Sequence, residues 1–302
     1  MNPFSESLTH CELCPRKCGV NRQEGERGYC RAGGIVEVYR HGAHHGEEPP
    51  VSGTRGSGTV FFSRCTLRCI YCQNFPWSQE GQGRAVRVEE LETILRSLHG
   101  EMCHNWNLVS PTPWLPWIYD AWSRVVAEGV SLPIVYNTSG FERVEQLRAM
   151  TGWVKVYLTD LRYAQAGTSK AGSDCEGYVS AARAALQEMW RQTGPLKMDE
   201  EGVAEQGTIC RLLVLPGRAD EAVANLEWLA EAVGTEIPVS VMAQYTPAYM
   251  ALNAEPWSRR PTEKEYGRVV EAMERLGFSD GWIQEYEAPT HDSLVGFKMS
   301  PV

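Results

Sequence analysis

From residue 58 onward the chain repeats one pattern six times: a short apolar run, then a stretch of helical periodicity. The apolar runs are TVFFS (59–63), NWNLVS (105–110), PIVYNT (133–138), VKVYLT (154–159), ICRLLVL (209–215) and PVSVMA (238–243). The helical stretches are 88–98, 114–127, 141–150, 176–191, 219–232 and 262–275. A strand that is apolar on both faces must be covered on both, so this alternation predicts a parallel sheet flanked by helices. Six consecutive β–α units predict a (β/α)6 barrel, complete or partial; a doubly wound sheet is the alternative. In both, an active site forms at the carboxyl ends of the strands. The candidates are therefore Cys65 to Cys72, Ser110 to Thr112, Asn137 to Gly140, Asp160 to Arg162, Pro216 with Gly217, and Gln244 with Tyr245.

A chain of 302 residues buries roughly 75% of its extended surface and needs no covalent staples. No basic segment followed by an apolar core opens the sequence. The ten cysteines therefore read as metal ligands and buried thiols rather than disulfides, and the expected location is the cytoplasm. No run approaches the roughly 18 to 20 apolar residues of a membrane span. The net charge is −9 with no basic stripe, which argues against a nucleic-acid partner.

The cysteines are unevenly placed. Cys11, Cys14, Cys18 and Cys30 fall in a Cys-rich segment that, with the Gly/Pro-rich linker HGAHHGEEPPVSGTRGSG, occupies residues 1–57 ahead of a barrel unit over 58–302. Four thiolates close either a tetrahedral zinc site or a 4Fe–4S cluster, and the spacing does not separate the two. Cys65, Cys69 and Cys72 stand C-x3-C-x2-C on the loop after the first strand. A cubane cluster takes one ligand per iron, so three thiolates leave one iron open to a small molecule. A zinc loop with a distant fourth ligand, or three incidental thiols, are the bland alternatives. Cys103, Cys175 and Cys210 are single and read as buried small hydrophobes.

CTLRCIYC, following an apolar strand and opening a series of β–α units, resembles the radical S-adenosylmethionine (radical SAM) superfamily. SGTRGSGTVFFSRCTLRCIYCQN, NLVSPT, VYNTSG, QYTP and GWIQ resemble the pyruvate formate-lyase activating enzyme group, most of all its activating enzyme-like relatives without an established substrate. The resemblance implies a partial TIM barrel whose catalytic 4Fe–4S cluster is held by Cys65, Cys69 and Cys72. SAM would chelate the open iron and be cleaved reductively to a 5′-deoxyadenosyl radical that abstracts hydrogen from substrate. It further implies SAM contacts at the backbone of Tyr71, which would face the adenine, and at Ser110, Thr112, Asn137, Thr138, Asp160 and Arg162. A carboxylate suits a ribose diol and a guanidinium suits the methionine carboxylate. SPTPW stands where activating enzymes carry a Gly-Gly-Glu, with neither the glycine pair nor the acid. A flavodoxin or ferredoxin reductant and a peptide or protein substrate follow from the same resemblance. A non-catalytic iron–sulfur carrier or interaction protein on the same barrel is the alternative. His41, His44 and His45 read as a solvated loop, with metal or substrate ligands as the alternative, and AQAGTSKAGSDCEG (164–177) as a mobile loop over the barrel mouth.

Overall fold

The order of strands decides between the two expected architectures. In the computed structural model, which describes residues 2–286, the elements are β1 (Val36–His44), α1 (Pro49–Ser52), β2 (Ser57–Phe62), α2 (Phe75–Ser78), β3 (Arg84–Val86), α3 (Val88–Gly100) and β4 (Trp106–Val109). They continue with α4 (Leu115–Ala127), β5 (Ile134–Thr138), α5 (Val144–Ala149), β6 (Val154–Asp160), α6 (Ala166–Ser173) and α7 (Tyr178–Thr193). The last are β7 (Lys197–Met198), β8 (Ala204–Leu213), α8 (Ala219–Ala232), β9 (Val239–Met242), α9 (Glu263–Arg275) and β10 (Gly281–Ile283). Residues 287–302 of the expected barrel unit lie outside the described residues.

The sheet runs β10-β9-β8-β6-β5-β4-β2-β1-β3, with β7 paired to β8. From β2 through β10 every neighbour is parallel and follows in chain order. A doubly wound sheet must reverse its order once among the parallel strands; here the parallel strands never do. The winding is that of a barrel, and since β3 and β10 end the path, the barrel is partial. All six residues of β2 and all five of β5 are buried, as strands covered on both faces must be. One large apolar cluster packs β8 and β9 under α7, α8 and α9. The other packs β2, β4 and β5 under α3 and α4.

All six expected strands and their following helices are present. The additions are at the margins. β1 pairs antiparallel with β2, and β3 with β1. His41 and His44 are thus half-buried strand residues rather than a solvated loop. The expected mobile loop at 164–177 contains α6, whose sequence AGTSKAGS has little intrinsic helix propensity. A distant carboxylate supplies the missing start signal: the Glu221 side chain accepts from Ala164 N and Gln165 N (3.0 Å each) and from Thr168 Oγ1 (2.5 Å). The other end is fastened by Arg68 N to Ser173 O and Ile70 N to Gly172 O. Tertiary contacts override local preference there.

Candidate functional site

The segment after β2 turns back on itself before entering α2. Arg64 takes a positive φ of 74° and is held by an ion pair to Glu37 at 2.7 Å. The turn closes through Cys72 N to Cys69 O. This geometry points Cys65, Cys69 and Cys72 into one cleft of about 420 Å³ at the carboxyl ends of the strands. Each sulfur has a hydrogen-bond partner. Cys69 Sγ receives Ser173 Oγ at 2.9 Å and Arg162 Nη1 at 3.0 Å, Ser78 Oγ lies 3.2 Å from Cys72 Sγ, and Leu67 N lies 3.5 Å from Cys65 Sγ. Burial pushes Cys65 up to about 12 and Cys72 up to about 11, and negative charge on Cys69 adds to both. Three thiolates here would repel one another unless a cationic group compensated them. Among the described residues, no three His, Cys, Asp or Glu side chains are grouped to hold a single metal ion.

Ser110, Asn137, Thr138, Asp160 and Arg162 line the same cleft as the three cysteines. Arg162 donates from Nε (3.0 Å) and Nη2 (2.5 Å) to Asp160 Oδ2. With its bond to Cys69, it uses three of the five guanidinium hydrogens and keeps two free. Thr112 and Tyr71 are placed differently. Thr112 is buried behind the wall, its hydroxyl donating to Glu142 Oε1 at 2.6 Å and accepting from Tyr136 OH at 3.2 Å. Tyr71 packs away from the cleft, stacked on Trp257 at 5.3 Å with its hydroxyl 2.5 Å from that of Tyr163. Cys103, Cys175 and Cys210 are all buried.

Sequence reasoning missed the ionic network within the barrel. Glu47 and Glu48, inside the stretch read as a linker, line the cleft together with Arg211 of β8. Their side chains are only 8%, 6% and 14% exposed. Arg211 Nε and Nη2 donate to Glu48 at 2.8 and 2.6 Å, and Nη2 also to Glu47. Asn107 and Asn137 both donate to Glu47 Oε1, at 2.9 and 3.2 Å. Burial alone would push the Glu48 carboxyl up, but the guanidinium outweighs it and holds it below the usual range. Nothing in the spacing of these residues announces the contact; the clue was two adjacent acids before a Pro-Pro pair.

Cys11, Cys14, Cys18 and Cys30 gather into one electrostatic neighbourhood. Burial raises the Cys14 thiol, and charges on Cys30 and Cys18 add to that; burial raises Cys30 likewise, with Cys11 and Cys18 adding. The segment is docked on the thiol loop. Arg16 donates to Thr66 O at 3.3 Å and to Asp174 O at 2.7 Å, while Arg68, between Cys65 and Cys69, donates to Tyr29 O at 2.9 Å. The Tyr29 ring lies 3.6 Å from the Arg16 guanidinium and 4.2 Å from that of Arg68, a cation–π pairing on each.

No family model matches the chain. An uncharacterized protein of Methanocaldococcus jannaschii is 28% identical over 278 residues, 88% of this chain and 75% of its own. A second uncharacterized protein of that organism is 26% identical over 165 residues, covering 49% and 48%. Among solved structures, native anSMEcpe with bound AdoMet covers 70% of this chain and 57% of its own, with a TM-score of 0.46 and 11% identity. Streptococcus suis SuiB bound to precursor peptide SuiA covers 65% and 42%, with a TM-score of 0.42 and 10% identity. This chain thus spans little more than half the length of the first structure and less than half of the second. No helix of the described residues is long and apolar enough to cross a membrane.

Proposed function

We propose that this chain is a radical SAM enzyme that cleaves S-adenosylmethionine reductively and abstracts hydrogen from a peptide or protein substrate. The observation that carries this reading is the convergence of the Cys65, Cys69 and Cys72 thiols on the cleft that also holds the Asp160–Arg162 pair. The sulfur set fits a 4Fe–4S cluster: three thiols open on one cleft, and a cubane takes one thiolate per iron. Such a cluster supplies the electron that breaks the sulfonium bond and the open iron to which SAM binds.

The protein's own residues do the rest. Arg162 tethers one sulfur through Nη1 and offers its two remaining N–H groups to the methionine carboxylate. Asp160 is placed to accept from a ribose hydroxyl while fixing the guanidinium. Ser110, Asn137 and Thr138 line the adjoining wall. Phe61, Trp77, Val109 and Met242 add apolar surface that excludes water from the reacting atoms. Cys11, Cys14, Cys18 and Cys30 would hold a second metal centre, zinc or 4Fe–4S, and a flavodoxin or ferredoxin would be the reductant.

The test is anaerobic reconstitution with iron and sulfide, chemical reduction, addition of SAM and quantification of 5′-deoxyadenosine. The wild-type chain produces it, and a Cys65→Ala, Cys69→Ala, Cys72→Ala triple variant does not. Iron retained by the triple variant belongs to the N-terminal cysteines. A wild-type protein that binds iron yet releases no 5′-deoxyadenosine would be a non-catalytic iron–sulfur protein instead.

A further inference from the structure

We propose that Glu142 is a positioning residue for SAM, joining the ends of β4 and β5 into one wall of the cleft; this rests on the radical SAM reading above. The parallel ladder between these strands ends at Val109 and Asn137. Beyond it, the backbone contributes only Ser110 N to Asn137 O at 3.0 Å. Ser110 itself sits at a φ of +56°, a conformation that serine adopts only where its surroundings fix it. A carboxyl from the loop after β5 ties together the residues on either side of Ser110. Glu142 Oε1 accepts from Thr112 Oγ1, just past β4, at 2.6 Å and from Thr138 Oγ1, on the last residue of β5, at 2.5 Å. Tyr136 OH donates to Thr112 Oγ1 and Gly140 N to Thr138 Oγ1, both at 3.2 Å, so each hydroxyl is held from two sides.

The carboxylate is 2% exposed, and its second oxygen, Oε2, is buried with no hydrogen-bond partner. A buried acceptor left unpaired weakens the fold, and burial pushes this carboxyl up to about 7 against the hydrogen bonds that Thr112 and Thr138 give it. Its loop is clamped on the opposite side by the Cys-rich segment. Arg143 Nη1 donates to Glu12 O and Glu12 Oε2 at 2.7 Å each, and the Arg16 guanidinium lies 5.5 Å from the Phe141 ring. Glu142 therefore stands between a docked external segment and two threonine hydroxyls, one of them on Thr138, a residue that lines the cleft. Moving the carboxylate moves the wall.

Two substitutions separate the acceptor from its charge. Glu142→Gln keeps an oxygen for both hydroxyls and puts an amide nitrogen where the unpaired oxygen lies. Glu142→Leu removes the acceptor. The measurement is the SAM dissociation constant of the reconstituted full chain by equilibrium dialysis, beside the thermal midpoint of each variant. We expect Glu142→Gln to bind SAM within about twofold of wild type, and Glu142→Leu about tenfold more weakly, the worth of one net hydrogen bond to a charged group. The Glu142→Gln midpoint should stay near wild type, whereas Glu142→Leu leaves the buried Thr112 and Thr138 hydroxyls without their acceptor and should melt lower. Thr138→Val should weaken binding by a similar factor and add little to Glu142→Leu, because both act through one contact. Three results overturn the proposal: a folded Glu142→Leu with wild-type affinity, a Glu142→Gln as weak as Glu142→Leu, or full additivity with Thr138→Val. A wild-type chain that does not bind SAM would sink the radical SAM reading and this proposal with it.

Discussion

Replacing Arg211 by methionine tests the ionic network inside the barrel. The guanidinium is the shared donor to Glu47 and Glu48, whose side chains are 8% and 6% exposed. Without it Glu47 keeps only Asn107 and Asn137, and two carboxylates face each other in a water-poor interior. Breaking a buried pair by removing one partner costs about 3–5 kcal/mol. With an unfolding entropy of roughly 2.1 cal/mol/K per residue, a loss of about 4 kcal/mol lowers the melting midpoint by about 6 °C for a chain of this length. The sign with pH follows from the folded-state shift. The Glu48 carboxyl is held below its usual range, so in wild type it contributes stability above about pH 4.3. That contribution is lost as pH falls through the folded value. In Arg211→Met burial of Glu48 is no longer offset by the guanidinium, so its carboxyl titrates above its unfolded value and protonation relieves the variant first. The gap between variant and wild type, followed by urea unfolding, should be largest at pH 7 and shrink below pH 5. Adding Glu47→Gln to Arg211→Met should recover part of the loss. A deficit below 1 kcal/mol, or one that stays the same from pH 7 to pH 4, would refute the reasoning.

Ser173→Ala deletes the hydroxyl bonded to Cys69 Sγ at 2.9 Å. Loss of one net hydrogen bond of ~1 kcal/mol to a cluster ligand should make the midpoint potential of the reconstituted protein more negative by about 40 mV in an EPR-monitored redox titration. Gly140→Ala asks a residue at φ +82° to carry a Cβ 2.4 Å from Asp160 O. A strained backbone costs on the order of 1–3 kcal/mol, so the variant should melt lower and bind SAM more weakly by dialysis, since Asp160 must shift.

The barrel was legible because it is built from continuous apolar strands. β2, β4, β5, β6, β8 and β9 match the six apolar runs to within a few residues, apart from the earlier start of β8. β1 was hidden by a register shift between Val38 and Arg40, which buries the adjacent Val38 and Tyr39 and breaks the period of two that marks a half-buried strand. α6 was hidden because its cap, Glu221, lies far along the chain. The cleft divides the same way. The cysteines, Asp160 and Arg162 announce themselves by local spacing, at strand ends where the fold puts a site. Glu47, Glu48, Arg211 and Glu142 act through partners remote in sequence or through a burial that sequence does not record, so only the three-dimensional arrangement reveals them. Thr112 shows the converse: strand-end position suggested a cleft hydroxyl, and the structure commits it to Glu142.

The central claim is that Cys65, Cys69 and Cys72 hold a cluster with one iron open to SAM. The most direct measurement is the EPR spectrum of the reduced, reconstituted protein in which Cys11, Cys14, Cys18 and Cys30 are all replaced by serine, recorded with and without SAM. The account predicts a reduced 4Fe–4S signal whose g-values shift on adding SAM and which vanishes when Cys69→Ala is added. A cluster signal that SAM leaves unchanged, or one that persists without Cys69, would contradict it.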